Sequence, residues 1–322
     1  MVVTFSHLNG ALPKSRLFES LNSWGGHGVD VFFVISGYLI THLLLRERER
    51  FAAISLKKFY LRRVQRIIPA YAFFLLTALV LLRFGIVYFD PRQEWLAITY
   101  TLNLVPPPAS PVLQPVWSLC VEEHFYLLWP SAVAFLSWRR QIAILFTVIL
   151  AAVPIRCWLE LNHGPLDPAF FTLTRLDTIA AGCILALFLS RPVPSKILKR
   201  FLRVDGLVWM TLFLYILSAT YLSRSGKYQL LLQHAVEAFL IAIMTGALVE
   251  RPGQLLGKVL NLKPLITLGM LSYSIYLGQF ILIDIRSISL GSRFAFLALY
   301  AVFSFYLIES PVLRFNRKSQ DL

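Results

Sequence analysis

Apolar stretches of about 20 residues, enough helix to cross a hydrocarbon core roughly 30 Å thick, recur along the whole of this chain. No other feature narrows the fold as much. Backbone in lipid must satisfy its own hydrogen bonds, and runs of this length do so as helices. Candidate spans fall at 29–46, 60–84, 117–137, 141–160, 170–189, 206–222, 229–249, 264–285 and 293–309, nine in all. With 57% hydrophobic residues and only 15% charged, the chain carries more apolar surface than a water-soluble core can hide. The class predicted is all-α: a polytopic membrane helical bundle forming one domain over residues 1–322, in contact with membrane lipid.

The net charge of +14 raises the question of an acidic partner. The basic residues sit in short clusters between spans, however: RERER at 46–50 with Lys57 and Lys58, Trp138-Arg139-Arg140, RPVPSKILKR at 191–200, the stretch from Arg251 to Lys263, and the tail RFNRKSQDL. That is the pattern of the positive-inside rule, so these loops are expected in the cytoplasm and nucleic acid is not expected as a partner. The alternation holds only if WLAITYTLNLV at 95–105 does not cross. It is short and PPPASPVLQP follows it, so it is expected as a re-entrant or interfacial piece on the outer side. Cys120, Cys157 and Cys183 lie within apolar segments without metal-ligand spacing and read as packing residues.

The first residues, MVVTFSHLNG, read as the last third of a membrane helix. They carry no basic region or cleavage site of a signal peptide. Since the loop after residue 46 is expected inside, the expectation is one more helix entering from the cytoplasm, shortened here by a late start or a truncation.

Ionisable groups inside spans are expensive and mark candidate sites. In VWSLCVEEHFYLLWP, helical spacing puts Ser118, Glu122 and Tyr126 on one stripe, while Glu123 points about 100° away. One carboxylate is expected at a polar cavity, Glu122 being the better candidate, and the other paired with a basic residue of a neighbouring helix. Both as structural glue is the alternative. In GGHGVDVFFVISGYLIT, Asp30 either approaches a ligand or caps a helix, and Ser36-Gly37 forms a close-packing point. In KKFYLRRVQRIIPAY, Lys58, Arg62 and Arg66 form a stripe suited to phosphate oxygens or to lipid headgroups. Arg175 and Asp177 lie about 200° apart on their helix, so each is expected to meet a different neighbouring helix. His7 is the candidate general base.

Six segments, GVDVFFVISGYLIT, FYLRRVQRIIPAY, VWSLCVEEHFYLLWP, RLDTIAAG, LGMLSYSIYL and FYLIESPVLRF, follow one another in an order and spacing that resembles the acyltransferase 3 family over nearly the entire chain. These are integral-membrane acyltransferases that modify sugars of cell-surface polysaccharides and related acceptors. The resemblance implies ten transmembrane helices with both ends cytoplasmic, nine complete and a remnant of the first here. It maps His7 onto the family's histidine, whose basic partner would fall before Met1. Gln279 stands where the family commonly has a second histidine; an amide hydrogen-bonds but shuttles no proton.

The chemistry implied is transfer of an acyl group, acetyl first, from acyl-CoA as co-substrate to a carbohydrate hydroxyl, with no permanently bound cofactor or metal, in the bacterial inner membrane. The roles expected are His7 as base, Asp30, Glu122 and Glu123 as catalytic carboxylates, Ser118 and Tyr126 as hydrogen-bonding groups, and Lys58, Arg62, Arg63 and Arg66 as donor-binding cations. Ser36, Trp117, Arg175, Asp177 and Tyr276 are the further binding candidates. A transporter or flippase of a glycolipid or acyl intermediate, and a noncatalytic homologue, are the alternatives.

Overall fold

The computed structural model describes residues 25–106, 111–162, 166–284 and 290–313. Among them there is helix and no strand, as the hydropathy pattern predicts. Helix α1 (Gly25–Phe51) and helix α2 (Leu56–Arg83) come first; Ser55 caps α2 by accepting from the Lys58 amide. A short helix, α3 (Pro91–Ile98), follows, with Asp90 as its cap. Then come α4 (Val116–Phe135), α5 (Trp138–Leu161), α6 (Thr172–Leu189), α7 (Pro192–Leu202), α8 (Leu207–Thr220), α9 (His234–Glu250), α10 (Leu255–Leu260), α11 (Lys263–Asp284) and α12 (Leu290–Phe303). Single π-helical turns lead into α9 (Gln229–Gln233) and extend α12 (Ser304–Glu309).

Eight helices in the described residues are long and apolar enough to cross a membrane. The ninth expected span is α4, whose 20 residues rise about 30 Å. Glu122, Glu123 and His124 interrupt its apolar run. The chain is therefore an integral membrane protein of polytopic helical form.

The segment at 95–105 does not cross. Helix α3 has eight residues, a rise of about 12 Å, and the chain then turns through Leu102–Leu104. It is pinned from several sides. Tyr71 donates to the Ala97 carbonyl at 2.8 Å, and Asn103 donates to Thr172 Oγ1 at 2.6 Å. The basic loops gather on one face of the bundle. Arg48 of α1 donates to the Val133 carbonyl of α4, Arg62 of α2 pairs with Glu47, Arg191 lies over Trp138, and Arg203 pairs with Glu250.

Helices α1 and α6 make the closest contact in the bundle. A Cβ on Gly37 would stand 2.1 Å from the Ile179 carbonyl oxygen, and one on Gly182 would stand 2.0 Å from the Val34 oxygen. Each glycine thus admits the other helix's backbone, and the expected packing point at Ser36-Gly37 is there. This contact sets the rotation of α1 and α6, and so decides which polar side chains between them meet.

Candidate functional site

Two of the buried polar networks among the described residues hold the candidate site residues. The first lies toward the face opposite the basic loops. Asp30 of α1 accepts from Arg175 of α6, both almost wholly buried, and Arg175 Nη1 also reaches His234 Nδ1 of α9 at 2.5 Å. Asp30 stands in the second turn of α1, so it works as an interhelical ion pair and not as a cap. On the next face of α6, Asp177 accepts from Arg156 of α5, which also donates to the Thr174 carbonyl. Arg175 and Asp177 thus turn to different helices, as their spacing requires. Trp117 and Phe33 lay their rings beside the Arg175 guanidinium at 5.8 and 5.7 Å.

Glu237 of α9, fully buried, completes this network. Ser218 donates to its Oε1 at 2.8 Å and Gln233 to the same oxygen at 3.1 Å, while His27 Nδ1 lies 3.0 Å from its Oε2. Donor atoms of His27, Asp30 and Glu237 all fall within 4.8 Å of one another, the one such grouping found among the described residues. The oxygens of Glu237 are already engaged by three neighbours, and Asp30 is held by a guanidinium. In this arrangement the three groups form a hydrogen-bonded ion-pair network beside the Arg175 guanidinium. Arg156 keeps Nε and Nη1, and Arg175 keeps Nε, buried without a hydrogen-bond partner. These N–H groups are donors available to an oxyanion or a carbonyl oxygen.

The second network lies deeper. Ser36 of α1 donates to Glu122 Oε1 at 2.5 Å, and Tyr126, one turn along α4, donates to the same oxygen. Glu122 and Tyr126 are both buried, as their shared stripe predicts. Arg63 of α2 stretches inward from the basic face, its guanidinium 4.5 Å from the centre of the Tyr126 ring. Ser118 lies on the same stripe but bonds elsewhere, to Tyr276 Oη of α11 at 2.7 Å and to the Pro115 carbonyl at 3.1 Å.

The structure revises several expectations. Glu123 does not pair with a basic residue: among the described residues it forms neither an ion pair nor a hydrogen bond, and it remains partly accessible. The cation near it, Arg63 of α2, is turned onto the Tyr126 ring instead. Of the two carboxylates, Glu122 is the one locked into interhelical bonds. The arginine stripe also divides. Lys58, Arg62 and Arg66 are exposed, Arg62 pairing with Glu47 at 2.9 Å, whereas Arg63 faces inward. The i, i+4 rule picked out the outward stripe, while Arg63, one position from it and also among the expected donor-binding cations, is the one turned inward. Arg156 and Glu237 were missed by sequence reasoning. The signal was available, because each is a charged residue inside an expected span, the same criterion that singled out Asp177. His7 lies outside the described residues. Gln279 is fully buried, and neither amide atom has a partner.

Known proteins are similar to this chain in sequence. It is 32% identical over 329 residues to O-acetyltransferase OatA of Staphylococcus aureus (strain NCTC 8325 / PS 47), covering 90% of this chain and 53% of that protein. It is 30% identical over 298 residues to peptidoglycan O-acetyltransferase OatA of Listeria monocytogenes serovar 1/2a, covering 82% of this chain and 46% of that protein. The chain spans about half the length of these curated relatives. No solved structure matches. The sequence model of an acyltransferase domain matches residues 1–312, end to end across both buried networks, and the chain therefore belongs to the acyltransferase 3 family.

Proposed function

We propose that this chain transfers an acyl group, acetyl in the first place, from acyl-CoA at the basic, cytoplasmic face to a hydroxyl of a cell-surface or lipid-linked carbohydrate. Peptidoglycan, named for the Listeria relative, is the acceptor class to try first. The membrane is the bacterial cytoplasmic membrane. The observation that carries the reading is the path from Arg63 to Glu122. A cation enters from the face where a polyanionic donor would arrive and ends on the ring of Tyr126, whose hydroxyl bonds a buried carboxylate.

Attack of a hydroxyl on a thioester forms the new ester C–O bond, breaks the C–S bond and transfers the hydroxyl proton to a base. His7 takes that role in this reading, with Glu122 or Glu123 orienting or receiving the proton. The negative charge that develops on the carbonyl oxygen needs fixed donors in a water-poor site, and the unpartnered N–H groups of Arg156 and Arg175 are of that kind. Arg63, with Arg66 and Arg62 outside it, attracts the donor's phosphates.

The test is a reconstituted vesicle supplied with acetyl-labelled CoA on one side and peptidoglycan fragments on the other. Label recovered on the fragments as a hydroxylamine-labile ester, and lost in His7→Ala, is the expected result. Absence of label from every carbohydrate acceptor, with acetyl-CoA neither consumed nor bound, overturns the reading.

A further inference from the structure

Helix α7 (Pro192–Leu202) is the most amphipathic helix among the described residues, and the acyl-transfer reading makes no use of it. Its residues divide into three sectors. Leu198 and Leu202 turn inward onto the bundle, where Leu202 is fully buried in the space left by Gly246 of α9. Val193, Ile197 and Phe201, spaced four apart and so within about 80° of one another, project outward, the first two each 71% exposed. Lys196 and Arg200, also four apart, occupy the flank beside that apolar stripe.

The pairing of the basic residues follows these sectors. Lys199 and Arg203, on the far flank, are neutralised by Glu250 at 3.5 and 2.9 Å. Lys196 and Arg200 are exposed and form no ion pair among the described residues. Arg191, just before the helix, sits over Trp138 at 6.0 Å, which brings the exposed Arg139 and Arg140 of α5 alongside. An apolar stripe thus runs next to unneutralised positive charge at the basic face of a membrane bundle. Water would hydrate the charges but not the stripe, and hydrocarbon would bury the stripe but not the charges. The headgroup boundary of a leaflet satisfies both.

We infer that α7 lies in the headgroup layer of the basic-side leaflet and forms a binding surface for anionic phospholipid, with Val193, Ile197 and Phe201 among the acyl chains and Lys196 and Arg200 on the phosphate. The surface is independent of the acyl-transfer site and stands whatever reaction the chain performs.

The experiment follows the thermal unfolding midpoint of the purified full chain in neutral detergent during titration with phosphatidylglycerol, phosphatidylcholine or free glycerol phosphate. The expected result is a saturable rise with phosphatidylglycerol that exceeds the response to phosphatidylcholine, and no response to glycerol phosphate. K196Q/R200Q should keep the lipid-free midpoint and weaken the apparent phosphatidylglycerol affinity on the order of 20-fold, about fivefold per charge. K196R/R200K should retain it. Equal responses to the two lipids, full affinity in K196Q/R200Q, or stabilisation by glycerol phosphate alone would each overturn the inference.

Discussion

Ser36 of α1 donates a 2.5 Å hydrogen bond to Glu122 of α4, across 86 residues of sequence. The bond gives a carboxylate inside a membrane helix a fixed direction, and the same oxygen is held by Tyr126. Glu122→Gln preserves shape and one acceptor but removes the charge. Acetyl transfer is expected to fall about 100-fold, the scale of a lost acid–base contribution, with the protein still folded and inserted. Ser36→Ala should cost roughly 1–3 kcal/mol of stability, because it leaves a buried carboxylate one donor short. Transfer assays and thermal midpoints on the same preparations check both.

Glu123 forms neither an ion pair nor a hydrogen bond with the described residues, so Glu123→Gln has no such contact to lose. Its thermal midpoint should match that of the wild type while the transfer rate drops at least about tenfold. An unchanged rate would remove Glu123 from the chemistry.

The backbones of α1 and α6 leave no room for a methyl group at either glycine. Gly37→Ala and Gly182→Ala each force the helices apart and should destabilise by about 1–3 kcal/mol, the usual cost of overpacking. The shift should also misalign Asp30 with Arg175. A midpoint unchanged in both variants would mean that the helices can separate freely.

Arg156 and Asp177 are both buried, with 2% and 1% of their side chains exposed. Arg156→Leu strands a carboxylate and should cost roughly 3–5 kcal/mol, whereas Arg156→Leu with Asp177→Leu should cost much less, since replacing a whole buried pair is often close to neutral. A thermal-unfolding double-mutant cycle reads the coupling.

Arg63→Ala should raise the KM for acetyl-CoA roughly tenfold, while Arg62→Ala, whose side chain is held at the surface by Glu47, should raise it less. Equal effects in the two variants would return the donor site to the exposed stripe. Arg63→Lys should recover only part of the loss, because an ammonium lacks the flat guanidinium that stacks on Tyr126.

Much of the helix plan was legible in the sequence because it depends on local properties. The apolar length of each run marked nine helices, eight of them long and apolar enough to cross among the described residues, and the Pro-rich stretch after residue 105 marked the short segment between α2 and α4. Spacing along a single helix was also reliable. It placed Glu122 and Tyr126 on one buried stripe and sent Arg175 and Asp177 to different neighbours. It failed where the answer depended on another helix. Nothing in EE says which carboxylate finds donors, and nothing in RRVQR says which arginine faces inward.

The sequence by itself determined a polytopic helical membrane protein, and six ordered segments pointed to its family. Only the tertiary structure decided the partners: Asp30 with Arg175 across 145 residues, Ser36 with Glu122, and Glu237 with His27. The reason is geometric. A helix's composition fixes that it spans, but its rotation about its own axis is set by packing against other helices, here by the close approach at Gly37 and Gly182, and that rotation selects which charges meet.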